Sequence, residues 1–312
     1  MIGTTLGAPP MKPLTIVVLG GTGFVGSHLV PRLHRDGHTL KVLSRNRDLH
    51  RELGVLPGVS VDNADVCDRA DLIRHLAGAD AVINLVGILN ERGSDGSGFR
   101  KVHVELTETL IAACAAAGVL RLLQMSSLRA GEGDSYYLKT RGEAEARIKA
   151  SPLAWTIFRP SVIFGPGDGL FFRFAKLLRI APVLPLARAA AKFAPVYVGD
   201  VAEAFARALV HKHTIGRVYE LPGPRVIALG DLVRWTARLL GKRRLVIALP
   251  DPLGFAQAWF GEWLPGKPIS RDNFRSLKVD SVSDNDGLGA LGIVATPMEL
   301  VVPAMLRGPG RQ

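Results

Sequence analysis

Apolar residues in the first half of the chain fall into short, nearly unbroken runs separated by stretches of helical periodicity. Thr15–Leu19, Thr39–Ser44, Val59–Asp62, Ala81–Leu85, Arg121–Met125 and Trp155–Phe158 read as strands. The stretches around Phe24–Asp36, Arg69–Leu76, Phe99–Ala117 and Tyr136–Ala150 read as helices. Runs such as Ile16-Val17-Val18-Leu19 are apolar at successive positions, which suits strands covered on both faces. Strand–helix alternation of this kind predicts an α/β fold with a doubly wound parallel sheet. Pro31, inside the first helix, predicts a lost backbone hydrogen bond and a kink.

From Gly165 onward the alternation loosens, prolines and glycines become frequent, and basic residues gather at Arg173, Lys176, Arg179, Arg188 and Lys192. Pro195–Val198, with the helical run that continues to Val210, reads as a return to the sheet. The expected organisation is therefore a main domain of 14–164 plus about 195–221, and a smaller, discontinuous C-terminal lobe of about 165–194 plus 222–306. Residues 1–13 read as a flexible leader, with Met1 and Met11 both open as the start, and 307–312 as a tail.

The glycines placed between the first strand and first helix change the picture from fold to chemistry. Gly20-Gly21-Thr22-Gly23-Phe24-Val25-Gly26 forms a turn whose bare backbone lets a pyrophosphate meet the helix N-terminus, where unpaired N–H groups favour anions. In this strand–turn–helix setting the motif predicts a Rossmann-type dinucleotide site, with Gly26 allowing the helix to pack close to the strand. The second strand ends Ser44-Arg45-Asn46-Arg47, with no carboxylate before Asp48 to take a ribose 2′-hydroxyl. This favours NADPH over NAD(H), with Arg45 as the first candidate for the 2′-phosphate and Arg47 as the second.

Composition narrows the remaining classes. The 312 residues are 47% hydrophobic and 21% charged, enough apolar material for a large core or two modest ones. The longest apolar stretch, Leu110 to Leu120, falls short of the ~18 residues that span a bilayer, and no secretory signal precedes the first strand. Only Cys67 and Cys114 occur, without metal-ligand spacing, so neither a disulfide framework nor a metal site is expected and a cytoplasmic location fits. The formal charge of +11 and pI near 10.0 predict something acidic as a partner. Nucleotide phosphates, an acidic protein and an anionic membrane surface, with the chain at its inner face, all stay open. Nucleic acid is the weakest reading, since no finger or RRM-like motif is present.

Together the ordered motifs resemble the extended and atypical short-chain dehydrogenase/reductases. They are GGTGFVG at 20–26, Asp65-Val66, Asn84-Leu85-Val86-Gly87, Met125-Ser126-Ser127 and the run from Arg159 to Pro166, covering roughly residues 14–221. The resemblance implies that Asp65 and Val66 lie against adenine, that Leu85, Val86 and Gly87 pass beside the cofactor, and that Pro160 and Val162 approach the nicotinamide. Within the family, VHVELTETLIAACAAAGV, SYYLKTRGEAEARI and WTIFRPSVIFGPGDG are most similar to the short-chain-dehydrogenase-like accessory subunit of respiratory complex I and its bacterial relatives.

Active members of that family carry Tyr-x-x-x-Lys, in which the ammonium lowers the tyrosine pKa and holds the ribose. Here Tyr137 pairs by spacing with Arg141, whose broad planar head does not reproduce an ammonium. The assisting serine falls in Ser126-Ser127-Leu128, so its third position is apolar and Ser126 and Ser127 remain the candidates. His103 reads as a structural helix residue near the site. These departures make a nucleotide-binding accessory or assembly factor, with weak or absent catalysis, the leading expectation, linked to complex I or quinone metabolism.

The alternative is an NADPH-dependent reductase or isomerase acting on a hydrophobic carbonyl or quinone precursor. For it, Leu170-Phe171-Phe172, Phe255, Trp259, Phe260 and Trp263 are candidates to line an apolar pocket, although core positions suit them better. A third reading takes Phe255 to Trp263 with Lys267 and Arg271 as an anionic-membrane contact. The helices at 99–117 and 136–150 leave a homo-oligomer open.

Overall fold

Seven parallel strands form the central sheet of the computed structural model, which describes residues 12–50, 53–264 and 266–307. The expected leader and tail lie outside the described residues except for Lys12, Pro13 and Arg307. The strands are β1 (Thr15–Leu19), β2 (Thr39–Ser44), β3 (Val59–Asn63), β4 (Ala81–Asn84), β5 (Arg121–Met125), β6 (Ala154–Pro160) and, after intervening short strands, β11 (Arg217–Leu221). They lie in the order β11-β6-β5-β4-β1-β2-β3. The order reverses between β1 and β4, and that switch point opens a crevice at their C-terminal ends.

Both faces of the sheet are covered, which explains the unbroken apolar runs. Ile16 and Val18 join one core with α1 (Phe24–Arg35) and α7 (Val198–Val210), while Val17 and Leu19 point to the opposite core. There they meet α2 (Arg69–Leu76), α4 (Leu106–Ala117) and α5 (Tyr136–Lys149). Cys114 is fully buried in this second core, and burial pushes its thiol up to about 12, so it behaves as a small apolar residue. The expected helix at 99–117 is built in three parts: α3 (Ser97–Arg100), a π-turn at Lys101–Glu105, and α4. α1 is assigned without a break through Pro31.

The region 195–198 does not return to the main sheet. β10 (Val196–Tyr197) pairs instead with β7 (Ile163–Phe164) as a separate parallel ribbon, and β11 supplies the seventh main strand. Two residues of β-bridge partner are too few for periodicity to assign a strand to its sheet. The rest of the lobe comprises α6 (Phe171–Ile180), β8 (Val183–Ala187), β9 (Lys192–Phe193), β12 (Ile227–Ala228), α8 (Leu229–Leu239), β13 (Leu245–Leu249), α9 (Asp251–Gly261) and α10 (Arg271–Ser276). β8 and β13 pair in parallel and pack Leu186 and Val246 against Leu178 of α6 and Val233 of α8. α11 (Gly287–Ala290) packs along β11, and α12 (Met298–Arg307) along α6.

α9 is turned opposite to the expectation for its aromatics. Its buried face is the small-residue stripe Gly254, Ala258 and Gly261, while Phe255, Trp259, Phe260 and Trp263 point to solvent. A Cβ on Gly254 would meet Ala187 and Phe274 at 3.1 Å, and one on Gly261 the carbonyl of Ile269 at 2.5 Å. The backbone therefore approaches the lobe too closely for any larger residue on that face. These four aromatics neither form core nor line the main cleft.

Candidate functional site

The glycine turn lies at the C-terminal end of β1 as the sequence implies. Gly20 has φ +74, and a Cβ there would sit 3.1 Å from the Leu85 carbonyl carbon and the Val86 nitrogen, so only glycine lets β1 and β4 continue side by side into the crevice. A Cβ on Gly26 would overlap the backbone of Gly21, which fixes the close helix approach. Gly23 is the N-cap of α1, no side chain caps the helix, and its first turn holds no acidic residue. The first-turn N–H groups are thus left without a side-chain acceptor, and such a helix start fits a pyrophosphate.

On the other side of β1, Arg45 stands exposed just past β2, with no hydrogen bond or ion pair to its guanidinium among the described residues. Asp65 follows β3. Its Oδ1 accepts from the Cys67 amide at 2.9 Å, and its own N–H donates to Asp71 at 2.8 Å, which shapes the turn leading to α2. Val66 is half-buried against the second core.

At the far end of the crevice, Phe24, Ser126, Ser127, Tyr137, Arg141, Pro160 and Val162 come together around one cleft of about 440 Å³. Most of what else lines it is apolar. The Ser126 hydroxyl is not available there, because it donates to Glu145 at 2.7 Å. Glu145 also takes a two-pronged contact from Arg159, at 2.7 and 2.8 Å, and one from Lys149 at 3.0 Å. Burial pushes the Glu145 carboxyl up, but the hydrogen bonds from Arg159, Ser126 and Lys149 outweigh it and hold the group below the usual range. Ser127, by contrast, has a buried Oγ without a partner in the cleft wall.

Arg141 is only 6% exposed. Its guanidinium donates to the carbonyl of Met125 at 3.1 Å and, at 3.5 Å, to that of Val86, and its Nε is buried without a partner. The same head occupies the space that a Cβ on Gly87 would need. It also stands 5.6 Å from the Tyr137 ring centroid, a cation–π contact.

His103 is buried behind this pair. Its Nε2 accepts from the Ile88 amide at 3.4 Å, and its Nδ1 meets the Thr140 hydroxyl at 2.9 Å; that hydroxyl in turn donates to the carbonyl of Tyr136. The pattern assigns the proton to Nδ1 and fits a neutral ring. Burial first, and then the Arg141 charge, push its pKa down to about 2. A ring held this way ties the segment at Ile88 to Thr140 of α5.

Several cleft residues escaped the sequence reading. Arg129, with φ 62, reaches across to the carbonyls of Asp280 and Val282 and ties 280–282 to the loop after β5. This closes the cleft with Ser276, Leu277, Val279 and Ser281, and Ser276 carries a second buried hydroxyl without a partner. The segment after α10 is irregular, so no periodicity marks it. A positive φ at a non-glycine leaves no trace in the sequence either.

A family model described as NAD(P)H-binding matches residues 20–169. Among curated proteins, subunit 9 of the NADH dehydrogenase [ubiquinone] 1 alpha subcomplex of Mus musculus is 27% identical over 315 residues, covering 96% of this chain and 82% of that protein. A ceramide reductase of Caulobacter vibrioides is 32% identical over 246 residues, covering 76% of this chain and 74% of the reductase. Among solved structures, an NADPH-dependent quinone oxidoreductase of Escherichia coli in complex with NADPH superposes with a TM-score of 0.75. Its identity is 21%, with 94% of this chain and 100% of that chain covered, which supports the fold alone. The chain therefore belongs to the NAD(P)H-binding, short-chain-dehydrogenase-like family that holds the complex I subunit and the ceramide reductase.

Proposed function

We propose that the chain is an NADPH-binding accessory or assembly protein, linked to respiratory complex I or quinone metabolism, in which the nucleotide is held with little or no turnover. The observation that carries this reading is the confinement of Arg141. The cation that stands in for the family lysine is spent on the carbonyls of Val86 and Met125 under Gly87. A guanidinium fixed there contributes charge to the nucleotide end of the cleft but has no free stem with which to track a ribose and tune Tyr137. Leu85, Val86 and Gly87 form the wall along which the nucleotide runs, and Pro160 and Val162 face its reactive end. Asp65 and Val66 border the adenine side.

Preference for NADPH rests on Arg45, exposed past β2 where no carboxylate intervenes before Asp48. The test is calorimetric titration of nucleotide-stripped protein with NADPH and NADH, repeated on Arg45→Ala. Loss of one charge-assisted contact, worth about 1.5–3 kcal/mol, should weaken NADPH at least tenfold and leave NADH unchanged. Equal affinities in the wild type would remove the preference, and steady NADPH oxidation with a carbonyl substrate would remove the accessory reading.

One observation favours the alternative of a reductase for a hydrophobic carbonyl compound. The apolar cleft presents two buried hydroxyls without partners, Ser127 and Ser276, beside Tyr137. Bound NADPH would supply a hydride. The chain's own part would be to hold the substrate oxygen at Ser127 and donate a proton from Tyr137. In that case Tyr137→Phe abolishes turnover, and a variant with undiminished rates would count against the assignment.

A further inference from the structure

Two stretches of the chain are basic without interruption. Residues 169–199 and 232–250 contain ten Lys and Arg and no Asp or Glu, against a formal net charge of +11 for the whole chain. The two stretches build α6–β8 and α8–β13, which pack on one another. Arg188 and Arg234 are neutralised by Asp251 and Asp231. Lys176, Arg179, Lys242 and Arg243 have no ion pair among the described residues, so their charge is open to a partner.

These cations are interleaved with exposed apolar side chains. Arg244 donates to the carbonyls of Leu178 and Arg179, and the Leu245 amide to that of Pro182, so the turn at 242–244 is tied to the end of α6. Ile180, 78% exposed, therefore lies beside Val183 and Leu245, which are cross-strand partners on the outer face of the β8–β13 ribbon. Ile247 continues that face. On the free edge of β8, the Gln257 side chain bonds to the Ala187 amide and the Pro185 carbonyl, holding α9 alongside. α9 and the turn that follows it then present Trp259, Phe260 and Trp263 outward. The acidic groups closest in sequence, Asp251 and Glu262, are occupied by Arg188 and Arg271.

We propose that this lobe docks on an anionic lipid bilayer, through the end of α6 and the outer face of the β8–β13 ribbon, with the aromatic side of α9 as a second contact. Branched aliphatics among cations match a headgroup–acyl boundary, where charge meets phosphate and methyl groups leave water, and aromatic rings suit the same depth. A nucleic acid would satisfy the cations and leave Ile180, Val183 and Leu245 wet. A second copy of the chain would set like charges against each other.

Co-sedimentation of the full chain with vesicles tests the proposal. One set is phosphatidylcholine alone, and the other an equal mixture with phosphatidylglycerol. Binding should require the anionic lipid and weaken as salt is raised. At about fivefold per cation, Lys176→Gln/Arg179→Gln/Lys242→Gln should lower partitioning roughly a hundredfold. Ile180→Ser/Leu245→Ser should lower it by at least about tenfold. Tryptophan emission should shift to the blue on anionic vesicles, and less so in Trp263→Ser. All these residues are exposed, and unchanged melting curves verify the fold of each variant. No binding, equal binding to neutral vesicles, or an unaffected cation variant would overturn the proposal. So would retention of DNA or RNA by these cations in the absence of vesicle binding.

Discussion

The guanidinium of Arg141 fills the space beside Gly87 that any other residue's Cβ would claim. The glycine that follows β4 is thus also the seat of a buried cation, and the two positions are coupled. Gly87→Ala should push the guanidinium off the Met125 and Val86 carbonyls and cost about 2 kcal/mol, lowering the melting temperature by several degrees. Arg141→Lys, which withdraws the bulk, should suppress most of that cost, so a double-mutant cycle should show coupling above about 1 kcal/mol. If confinement of the arginine is what limits proton transfer, the same lysine variant should oxidise NADPH faster than wild type. Additive melting shifts would show that the contact does not govern either residue.

Asp272 links the lobe to the helix that carries Tyr137. Its carboxylate accepts from the backbone N–H groups of Tyr136 and Tyr137, at 2.7 and 3.1 Å, at the N-terminus of α5. Ser135 caps the same helix through the Leu138 amide. Asp272→Ala should remove about 1–2 kcal/mol of stability through the lost cap and the unpaired N–H groups. Because α10 also lines the cleft through Ser276, the variant should loosen nucleotide binding as well as the fold. A melting shift without any change in NADPH affinity would confine Asp272 to a structural role.

The Rossmann half was legible because its central strands β1, β4 and β5 are covered on both faces, so their apolar runs and their lengths agree. The glycine turn was legible for a related reason: Gly20 and Gly26 each meet backbone that no side chain fits beside. The lobe was not. Its bridges at β7, β9, β10 and β12 are two residues long, and its cleft wall at 276–281 has no period. Arg141 shows another limit, since a charged residue on a helix does not announce that it will be buried against two carbonyls. α9 shows the last one, because composition favoured burying the aromatics while the small stripe was the face that packed.

That inverted helix gives a paired prediction. Gly261→Ala should cost about 1–3 kcal/mol, because its Cβ meets the Ile269 carbonyl, which is backbone and has nowhere to move. Phe260→Ser, on the outward face at 64% exposure, should stay within about 0.5 kcal/mol of wild type. Chemical denaturation of both reads the difference. A costly Phe260→Ser with a silent Gly261→Ala would mean that α9 packs the other way round.

His103 sets a pH dependence whose sign follows from its neutral burial. Its folded pKa is pushed down to about 2 from an ordinary 6.5, so below about 6.5 the unfolded chain takes a proton that the folded chain refuses. The stability this residue protects is whole above that value and is lost as pH falls, at about 1.4 kcal/mol per pH unit once the unfolded ring is protonated. Burial lowers His38 as well, which adds a slope of the same sign. Asp168, Asp200 and Asp272 are raised by burial and act in the opposite direction, gaining stability as acid is added, but only toward the carboxylate range. Comparing the wild type with a His103 variant between about pH 7 and about pH 5.5 cancels the carboxylate contribution and leaves that of the ring. Urea denaturation across that range should show stability falling with acid in the wild type and falling less in His103→Asn, whose amide can still bond to Thr140. Parallel curves for the two proteins would mean that the folded ring takes up its proton as readily as the unfolded one, so that the network from Ile88 to Tyr136 does not hold it neutral.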